Sequence, residues 1–389
     1  MEKKNTALRK AVFAALSGIL VLSAAFCTAL HIAGSSISLP IDTLAAETTL
    51  SSYFRKTRYA PAENSSAEIS AEPSLPEESI SPAASEAPPA TESSADTSRS
   101  APKTRQFSFS AVTEQQIAEY DRSHEGEQRY PVAEFSVTKG DTSFGAVQVK
   151  NASSLDLDIK KELESGCSIK ADPGDEPQVL IYHTHTSESF LDYDTGYFYE
   201  SFYARSEDKK KNVCAVGEEL AAQLSSLGIK TLHDTTVHDS PGYSGAYYRS
   251  TDTVEKYLKK YPSIKVVLDI HRDGLGSDTQ RSKPVCRVNG RKAAQIMILA
   301  GYNYDGDESF DHWEENLRFA LKIQERAQET YPGLMRPVYL GDFMYNMNIC
   351  GGSLLIEIGA DSNTVDEARY SGYLLAEILA KVLKGRETD

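Results

Sequence analysis

Short apolar runs alternate with longer segments of helical periodicity between Gln178 and Leu383. The predicted strands are Gln178–Tyr182, Lys230–Leu232, Ile264–Ile270 and Leu354–Ile358, and the predicted helices are Lys209–Leu227, Ala246–Lys260, Asp311–Tyr331 and Val365–Leu383. A further pair of strands, Val285–Val288 and Ala294–Ala300, is expected to turn at Asn289-Gly290. This alternation predicts an α/β fold with a mostly parallel sheet flanked by helices.

An uncharged and mostly apolar run, Ala11–Ala33, follows a cluster of basic residues near the N-terminus. The run is long enough to cross a bilayer, which takes about 20 apolar residues. The basic cluster predicts a cytoplasmic N-terminus, with the rest of the chain exported. A cleaved signal peptide is the alternative, because small residues follow at Ala45-Ala46.

The segment Ala62–Lys103 consists mainly of Ser, Ala, Pro and Glu and has no aromatic residue, so it buries too little apolar surface to offset the entropy of ordering. We therefore divide the chain into a cytoplasmic tip and transmembrane anchor (1–35), a disordered linker (36–105), a small accessory element of unassigned role (106–175) and the α/β domain (176–385). In the accessory element we expect a short helix at Glu114–Tyr120 and a strand within Phe144–Asn151.

The charge and the cysteine content of the chain argue against nucleic-acid binding and against cysteine-based sites. The net charge of -15 argues against nucleic acid, since a binding protein needs a basic face to displace counterions from phosphates. The five cysteines are scattered without a CxxC pair, which is neither a disulfide framework nor a cysteine-based zinc site. A bound metal would therefore be held by His and carboxylate side chains.

Three of the predicted strands end in residues that can bind a metal or transfer a proton. The first runs into His183, His185 and Glu188, the third into His271, and the last contains Glu357. Ligands of open α/β sheets gather at the carboxyl ends of strands. Catalytic zinc takes three His or carboxylate ligands and a water, which a nearby Glu can deprotonate. The sequence thus predicts a zinc hydrolase site.

Alternatives remain for several of these residues. His185 and Glu188 form an HxxE pair that can converge from one tight loop, which favours His185 over His183 as a ligand. Glu357 alone fits a carboxylate near a helix start. Arg272 can bind a substrate carboxylate or stabilise an oxyanion, or it can form a surface ion pair with Asp273.

The runs VLIYHTHTSESF, DIHRDG and LLIEIGADSN closely resemble the stage II sporulation protein P family of endospore-forming bacteria. The last run also matches the E-x-G-x-x-x-N motif of related zinc-dependent N-acetylmuramoyl-L-alanine amidases. The resemblance covers about Val147 to Leu383 and implies zinc ligands at His185, Glu188 and His271, with Glu357 as the catalytic carboxylate. Related amidases place the metal-binding Glu farther from the first His, which leaves the carboxylate ligand and the choice between His183 and His185 open.

The resemblance also implies a biological setting. It predicts a single-pass enzyme of the mother-cell membrane, with its catalytic domain (176–385) outside the cytoplasm. This enzyme would cleave the amide between N-acetylmuramic acid and L-alanine of septal peptidoglycan during engulfment, together with stage II sporulation proteins D and M. Endopeptidase activity is credited to the family as well. The alternatives are a non-catalytic wall-binding scaffold and a zinc endopeptidase or carboxypeptidase acting on stem peptides.

Overall fold

The computed structural model describes residues 105–385. The predicted membrane anchor and nearly all of the predicted linker lie outside these residues. Among the helices of residues 105–385, none is both long and apolar enough to cross a membrane.

The described part of the chain alternates strands and helices over most of its length. In chain order the elements are α1 (Glu114–Ser123), β1 (Arg129–Phe135), β2 (Thr142–Phe144), β3 (Val147–Asn151), α2 (Ile159–Ser165), β4 (Val179–Tyr182), β5 (Tyr197–Tyr199), α3 (Val213–Ser226), β6 (Thr231–His233), α4 (Ala246–Lys260), β7 (Val266–Asp273), β8 (Gly276–Ser277), β9 (Gln280–Val288), β10 (Arg291–Ala294), β11 (Ile296–Gly301), α5 (Trp313–Thr330), β12 (Val338–Gly341), β13 (Ser353–Ala360) and α6 (Val365–Lys384). Short 3-10 helices lie at Glu308–Phe310 and Tyr345–Asn348.

The larger sheet has eight strands in the order β2-β3-β12-β11-β13-β7-β4-β6. The pairs β2–β3 and β11–β13 are antiparallel, and the other neighbours are parallel. The sheet is therefore mixed: five of its seven strand pairs are parallel, and the two antiparallel pairs qualify the prediction of a mostly parallel sheet. The chain returns from β7 to β11 through strands, without the crossover helix that a parallel arrangement requires.

A smaller sheet of five strands has the order β10-β9-β1-β5, with β8 paired to β9. The predicted strand Ala294–Ala300 is divided between the two sheets, because the chain leaves β10 and enters β11 at Gln295. Segment 106–175 supplies strands to both sheets, since β1 pairs with β9 and β3 pairs with β12.

Local signals in the sequence account for several element ends. Asn289 and Gly290 join β9 to β10 with φ values of 51° and 76°, and a type I′ turn requires a positive φ at both positions. Helix α3 begins at Val213 rather than at Lys209, because the Asn212 side chain accepts a hydrogen bond from the Cys214 N–H and caps the helix there.

The two faces of the larger sheet have different coverings. Val179 and Ile181 of β4 belong to the main core, which also includes apolar side chains of α3, α5 and α6. Leu180 and Tyr182 point to the opposite face and pack with Val254 of α4. Because side chains alternate along a strand, the α4 face also receives every second residue of the neighbouring strands.

Candidate active site

The carboxyl ends of three adjacent parallel strands, β13, β7 and β4, meet at one edge of the larger sheet. On β7, Asp269, His271 and Asp273 are two residues apart and share a face. In the strand register Glu357 is the partner of His271, and Tyr182 is the partner of Asp269. Since Tyr182 packs on the α4 face, the register places these polar side chains on that face.

The turn that follows β4 carries two further predicted residues to the same place. Nδ1 of His271 lies 3.3 Å from Oε2 of Glu188, and both side chains are buried. The rings of His185 and His271 are 5.3 Å apart between centroids and nearly perpendicular. The structure thus brings His185, Glu188 and His271 together, with Glu357 beside them on the adjacent strand.

His183 faces the opposite side of the sheet and is fully buried. Its Nδ1 lies 2.8 Å from the Ile270 carbonyl oxygen, and its Nε2 lies 2.9 Å from Nε2 of His233. The carbonyl can accept but not donate, so Nδ1 of His183 carries the proton and its Nε2 is the atom that contacts His233. Burial, aided by the neighbouring His233, lowers the pKa of His183 to about 3. Both nitrogens of this histidine are therefore occupied.

His185 has a different environment. Its Nδ1 is buried and has no hydrogen-bond partner among residues 105–385. Its ring stacks in parallel on Tyr243, with 4.0 Å between centroids. Burial lowers the pKa of His185 to about 4, so its imidazole is neutral near pH 7. A ring nitrogen is thus available inside the site.

His271 lies between two carboxylates. Burial opposes its positive charge, but Asp269 and Glu188 outweigh burial and raise the pKa of His271 well above its ordinary value. Burial also opposes the negative charge of Glu188 and by itself would raise the pKa of this carboxyl. The charge of Arg272 and the hydrogen bond with His271 instead hold that pKa well below its ordinary value. Glu188 is therefore an ionised carboxylate beside the imidazole.

One carboxyl oxygen of Glu357 has no partner in the part of the chain that the structure describes. This oxygen, Oε2, is shielded from solvent and makes no hydrogen bond there. Burial, followed by repulsion from Asp273, raises the pKa of Glu357 well above its ordinary value of 4.5. An uncommitted carboxyl of this kind is suited to accept and return a proton.

The guanidinium of Arg272 is turned toward the main chain. Its Nε donates to the Ser189 carbonyl at 3.0 Å, one terminal nitrogen donates to the Asp273 carbonyl at 3.2 Å, and the other donates to the Ala204 carbonyl. The Asp273 carboxylate pairs instead with Arg336 at 2.6 Å. Arg272 therefore connects the two ends of the loop from Ser189 to Ala204.

Two residues near the site were not singled out from the sequence. Arg205 lies 4.0 Å from Oε1 of Glu188 and 3.0 Å from Asp239, and its guanidinium covers the Tyr243 ring at 4.9 Å. No spacing in the sequence indicates these contacts, because they join separate loops. Asp269 lies next to His271, and its position two residues earlier on the same strand was the available signal.

The imidazole nitrogens and the carboxylate oxygen of His185, His271 and Glu188 are atoms of the types that bind zinc. Two ligands of a tetrahedral zinc, each about 2.0–2.1 Å from the metal, lie about 3.3 Å from each other. Nδ1 of His271 and Oε2 of Glu188 have this separation, and His185 adds a buried nitrogen without a partner. Within residues 105–385, however, no three His, Cys, Asp or Glu side chains already form a metal-binding group.

Comparison with known sequences identifies relatives of this chain. The sequence model of the family described as "Stage II sporulation protein P (SpoIIP)" matches residues 59–380. A curated relative, stage II sporulation protein P of Bacillus subtilis (strain 168), is 25% identical over 241 residues, which are 58% of this chain and 57% of the relative. The chain thus spans a little over half the length of that relative.

Solved structures of amidases are similar to part of the chain. One is the apo form of the N-acetylmuramyl-L-alanine amidase Ami1 from Mycobacterium abscessus, with 13% identity, a TM-score of 0.30, and coverage of 54% of this chain and 99% of that one. Another is the CwlD amidase from Clostridioides difficile in complex with the GerS lipoprotein, with 14% identity, a TM-score of 0.32, and coverage of 54% and 100%.

Proposed function

Because the chain belongs to the stage II sporulation protein P family, we propose that it is a zinc-dependent peptidoglycan hydrolase. The proposed reaction cleaves the amide between N-acetylmuramic acid and the L-alanine of the stem peptide. The observation that carries this proposal is the convergence of His185, Glu188 and His271 beside Glu357 at the ends of three adjacent strands. A purely structural role would not need so many buried ionisable groups at one sheet edge.

His185, Glu188 and His271 are the proposed zinc ligands. His183 is a poor candidate, because both of its ring nitrogens already have partners, whereas Nδ1 of His185 has none within the described residues. Bound by these residues, zinc would polarise the scissile carbonyl and lower the pKa of its water to about 7.

Glu357 is the proposed proton carrier. Its free Oε2 would take a proton from the attacking water as the water oxygen bonds to the lactyl carbonyl carbon. The same oxygen would then return the proton to the alanine nitrogen as the carbon–nitrogen bond breaks. Its position beside His271 in the register supports this role.

The two arginines have separate proposed roles. Arg272 would position the loop from Ser189 to Ala204, since its donors bind main-chain carbonyls. Arg205 has a side chain that is 27% exposed and lies at the edge of the site next to Glu188. It is better placed than Arg272 to meet a carboxylate of the stem peptide.

Mass spectrometry of the products from purified peptidoglycan tests the proposed function. An amidase releases stem peptides with a free L-alanine amino group and leaves lactyl carboxylates on the glycan. An endopeptidase leaves every peptide attached to muramic acid and opens only the cross-links. A non-catalytic scaffold leaves the peptidoglycan intact. Either of the last two results contradicts the proposal, and a Glu357→Gln preparation is the control for contaminating hydrolases.

We further propose that the chain stays in the mother-cell membrane through Ala11–Ala33 and acts on the septal wall during engulfment. Stage II sporulation proteins D and M are the proposed partners. Cell fractionation would recover the full-length chain in the membrane pellet. A soluble form that begins after Ala33 would show instead that this run is a cleaved signal.

A further inference from the structure

Asp269 contacts the ring nitrogen of His271 that faces away from Glu188. Its Oδ1 lies 2.9 Å from Nε2 of His271, and both side chains are 4% exposed. The two atoms are as close as an ion pair, although Nε2 makes no well-aligned hydrogen bond with any residue of the described part of the chain. The other ring nitrogen, Nδ1, lies 3.3 Å from Glu188. The imidazole is thus held between two carboxylates on opposite sides.

The Asp269 carboxylate is itself fixed by Thr184. The Thr184 backbone N–H donates to Oδ1 at 2.8 Å, and the Thr184 hydroxyl donates to Oδ2 at 2.6 Å. Both oxygens therefore have a partner besides His271, which compensates for burying the charge. Thr184 lies in the turn that also carries His185, so the two sides of the site are connected through this pair of hydrogen bonds.

The hydrogen-bonded chain continues into other elements. The hydroxyls of Thr184 and Ser250 of α4 are 2.8 Å apart. Asn346, in the 3-10 helix before β13, donates to the Ser250 hydroxyl at 2.9 Å and accepts from the Thr251 hydroxyl at 2.8 Å. Helix α4 and the 3-10 helix thus support the Asp269 carboxylate through the hydroxyls of Ser250 and Thr184.

We infer that Asp269 is a positioning residue for His271. It keeps Nε2 of the imidazole occupied and points Nδ1 toward Glu188 as the metal-binding nitrogen, with Thr184, Ser250 and Asn346 holding it in place. Metal-binding histidines commonly have such an outer carboxylate, and its loss weakens metal affinity. This inference rests on the proposed function, because it assigns a role in supporting the zinc site.

Zinc affinity, measured on the full chain by competition with a chromophoric chelator, tests the inference. Asp269→Asn keeps the shape of the side chain but removes the charge and one acceptor, so we expect zinc binding to weaken roughly 10- to 100-fold. Glu162→Gln is the control: Glu162 is also a buried carboxylate, but it pairs with Arg318 of α5 rather than with His271. Its zinc affinity should stay that of the wild type.

Two further measurements keep the inference falsifiable. If Asp269→Asn does not fold, Thr184→Val, which removes one of the two hydrogen bonds to the carboxylate, should still weaken zinc binding. Folded Asp269→Asn or Thr184→Val protein with wild-type affinity would overturn the inference. A wild-type chain that takes up no zinc would contradict the proposed function itself. The ¹⁵N NMR shifts of His271 test the orientation of its imidazole separately. Unchanged shifts in Asp269→Asn would also overturn the inference.

Discussion

Glu357 and His271 are partners in the parallel pairing of β13 with β7. Partners in neighbouring strands point to the same face, so the register alone places the proposed proton carrier beside a proposed ligand. A slip of one residue would turn Glu357 into the main core on the other face. Ile356 and Ile358, which flank it, are fully buried in that core, which makes such a slip costly.

Replacing Glu357 by Gln separates its two candidate roles. Gln is nearly isosteric but cannot accept a proton, so we expect the fold and the zinc content to be kept while turnover falls by about 100-fold or more. Zinc content and cleavage at muramic acid would be measured on one preparation. Loss of zinc would make Glu357 a ligand and Glu188 the candidate base, and full activity would remove Glu357 from the mechanism.

The two histidines of the turn should respond differently to replacement by alanine. His185→Ala should lose zinc, because it removes the buried nitrogen that has no other partner among the described residues. His183→Ala should keep zinc but be less stable, because His183 contacts Ile270 and His233 on the other face. Elemental analysis and denaturant unfolding measure the two effects. The reverse pattern would transfer the ligand role to His183.

Gly217 of α3 should not tolerate alanine. In an open helix, alanine would stabilise by up to about 1 kcal/mol relative to glycine. Here a Cβ would lie 2.5 Å from Nε2 of His233 and 2.8 Å from Nε2 of His183. We therefore expect Gly217→Ala to lower the free energy of unfolding by about 1–3 kcal/mol, the usual scale of overpacking.

A double variant checks the cause of that loss. In a His233→Ala background, where one of the two rings is gone, Gly217→Ala should cost less than it does in the wild type. An equal cost in both backgrounds would show that the His233 ring is not what excludes the methyl group.

Lys283 of β9 is 2% exposed and lies 2.9 Å from Glu367, whose side chain is 6% exposed. Lys283→Met should lower the free energy of unfolding by about 3–5 kcal/mol, because it leaves a buried carboxylate without its cation. Lys160→Met is the matched control, since the Lys160–Glu164 pair is more than half exposed and should contribute about 0–1 kcal/mol. Similar losses in denaturant unfolding of the two variants would contradict the assignment.

Asp194, which lies 2.6 Å from Lys283, should contribute to the dependence of stability on pH. Burial would raise the pKa of Asp194, but hydrogen bonds from Lys283 and Lys292 lower it below its ordinary value of 3.8. A lowered folded-state pKa stabilises the fold fully above the unfolded value, and this contribution is lost as the pH falls through the folded value. Asp194→Asn should therefore lose stability at about pH 6 and lose less at about pH 3. A loss that is the same at both values would rule out this linkage.

Much of the local structure could be predicted because it depends on neighbouring residues. Helix α4 has the predicted bounds, Ala246–Lys260, and the Asn289-Gly290 turn forms because these residues tolerate a positive φ. The candidate residues at the ends of β4 and β7 and within β13 were found in the same way, from apolar runs that lead into polar side chains.

The arrangement of the strands could not be predicted from neighbouring residues. The antiparallel entry of β11 beside β13 and the division of Ala294–Ala300 between two sheets depend on which distant strands pair. The same holds for Arg205, which follows β5 and contacts Glu188 in the loop before it.

The sequence by itself determined which residues can carry the chemistry, because the periodicity of a strand and the residues at its end are local properties. It left His183 and His185 as alternatives, since both follow the same strand. Tertiary structure distinguished their surroundings: Ile270 and His233 occupy both nitrogens of His183, while Nδ1 of His185 has no partner between residues 105 and 385. Those partners come from β7 and β6, and their approach depends on the order of strands in the sheet rather than on any spacing along the chain.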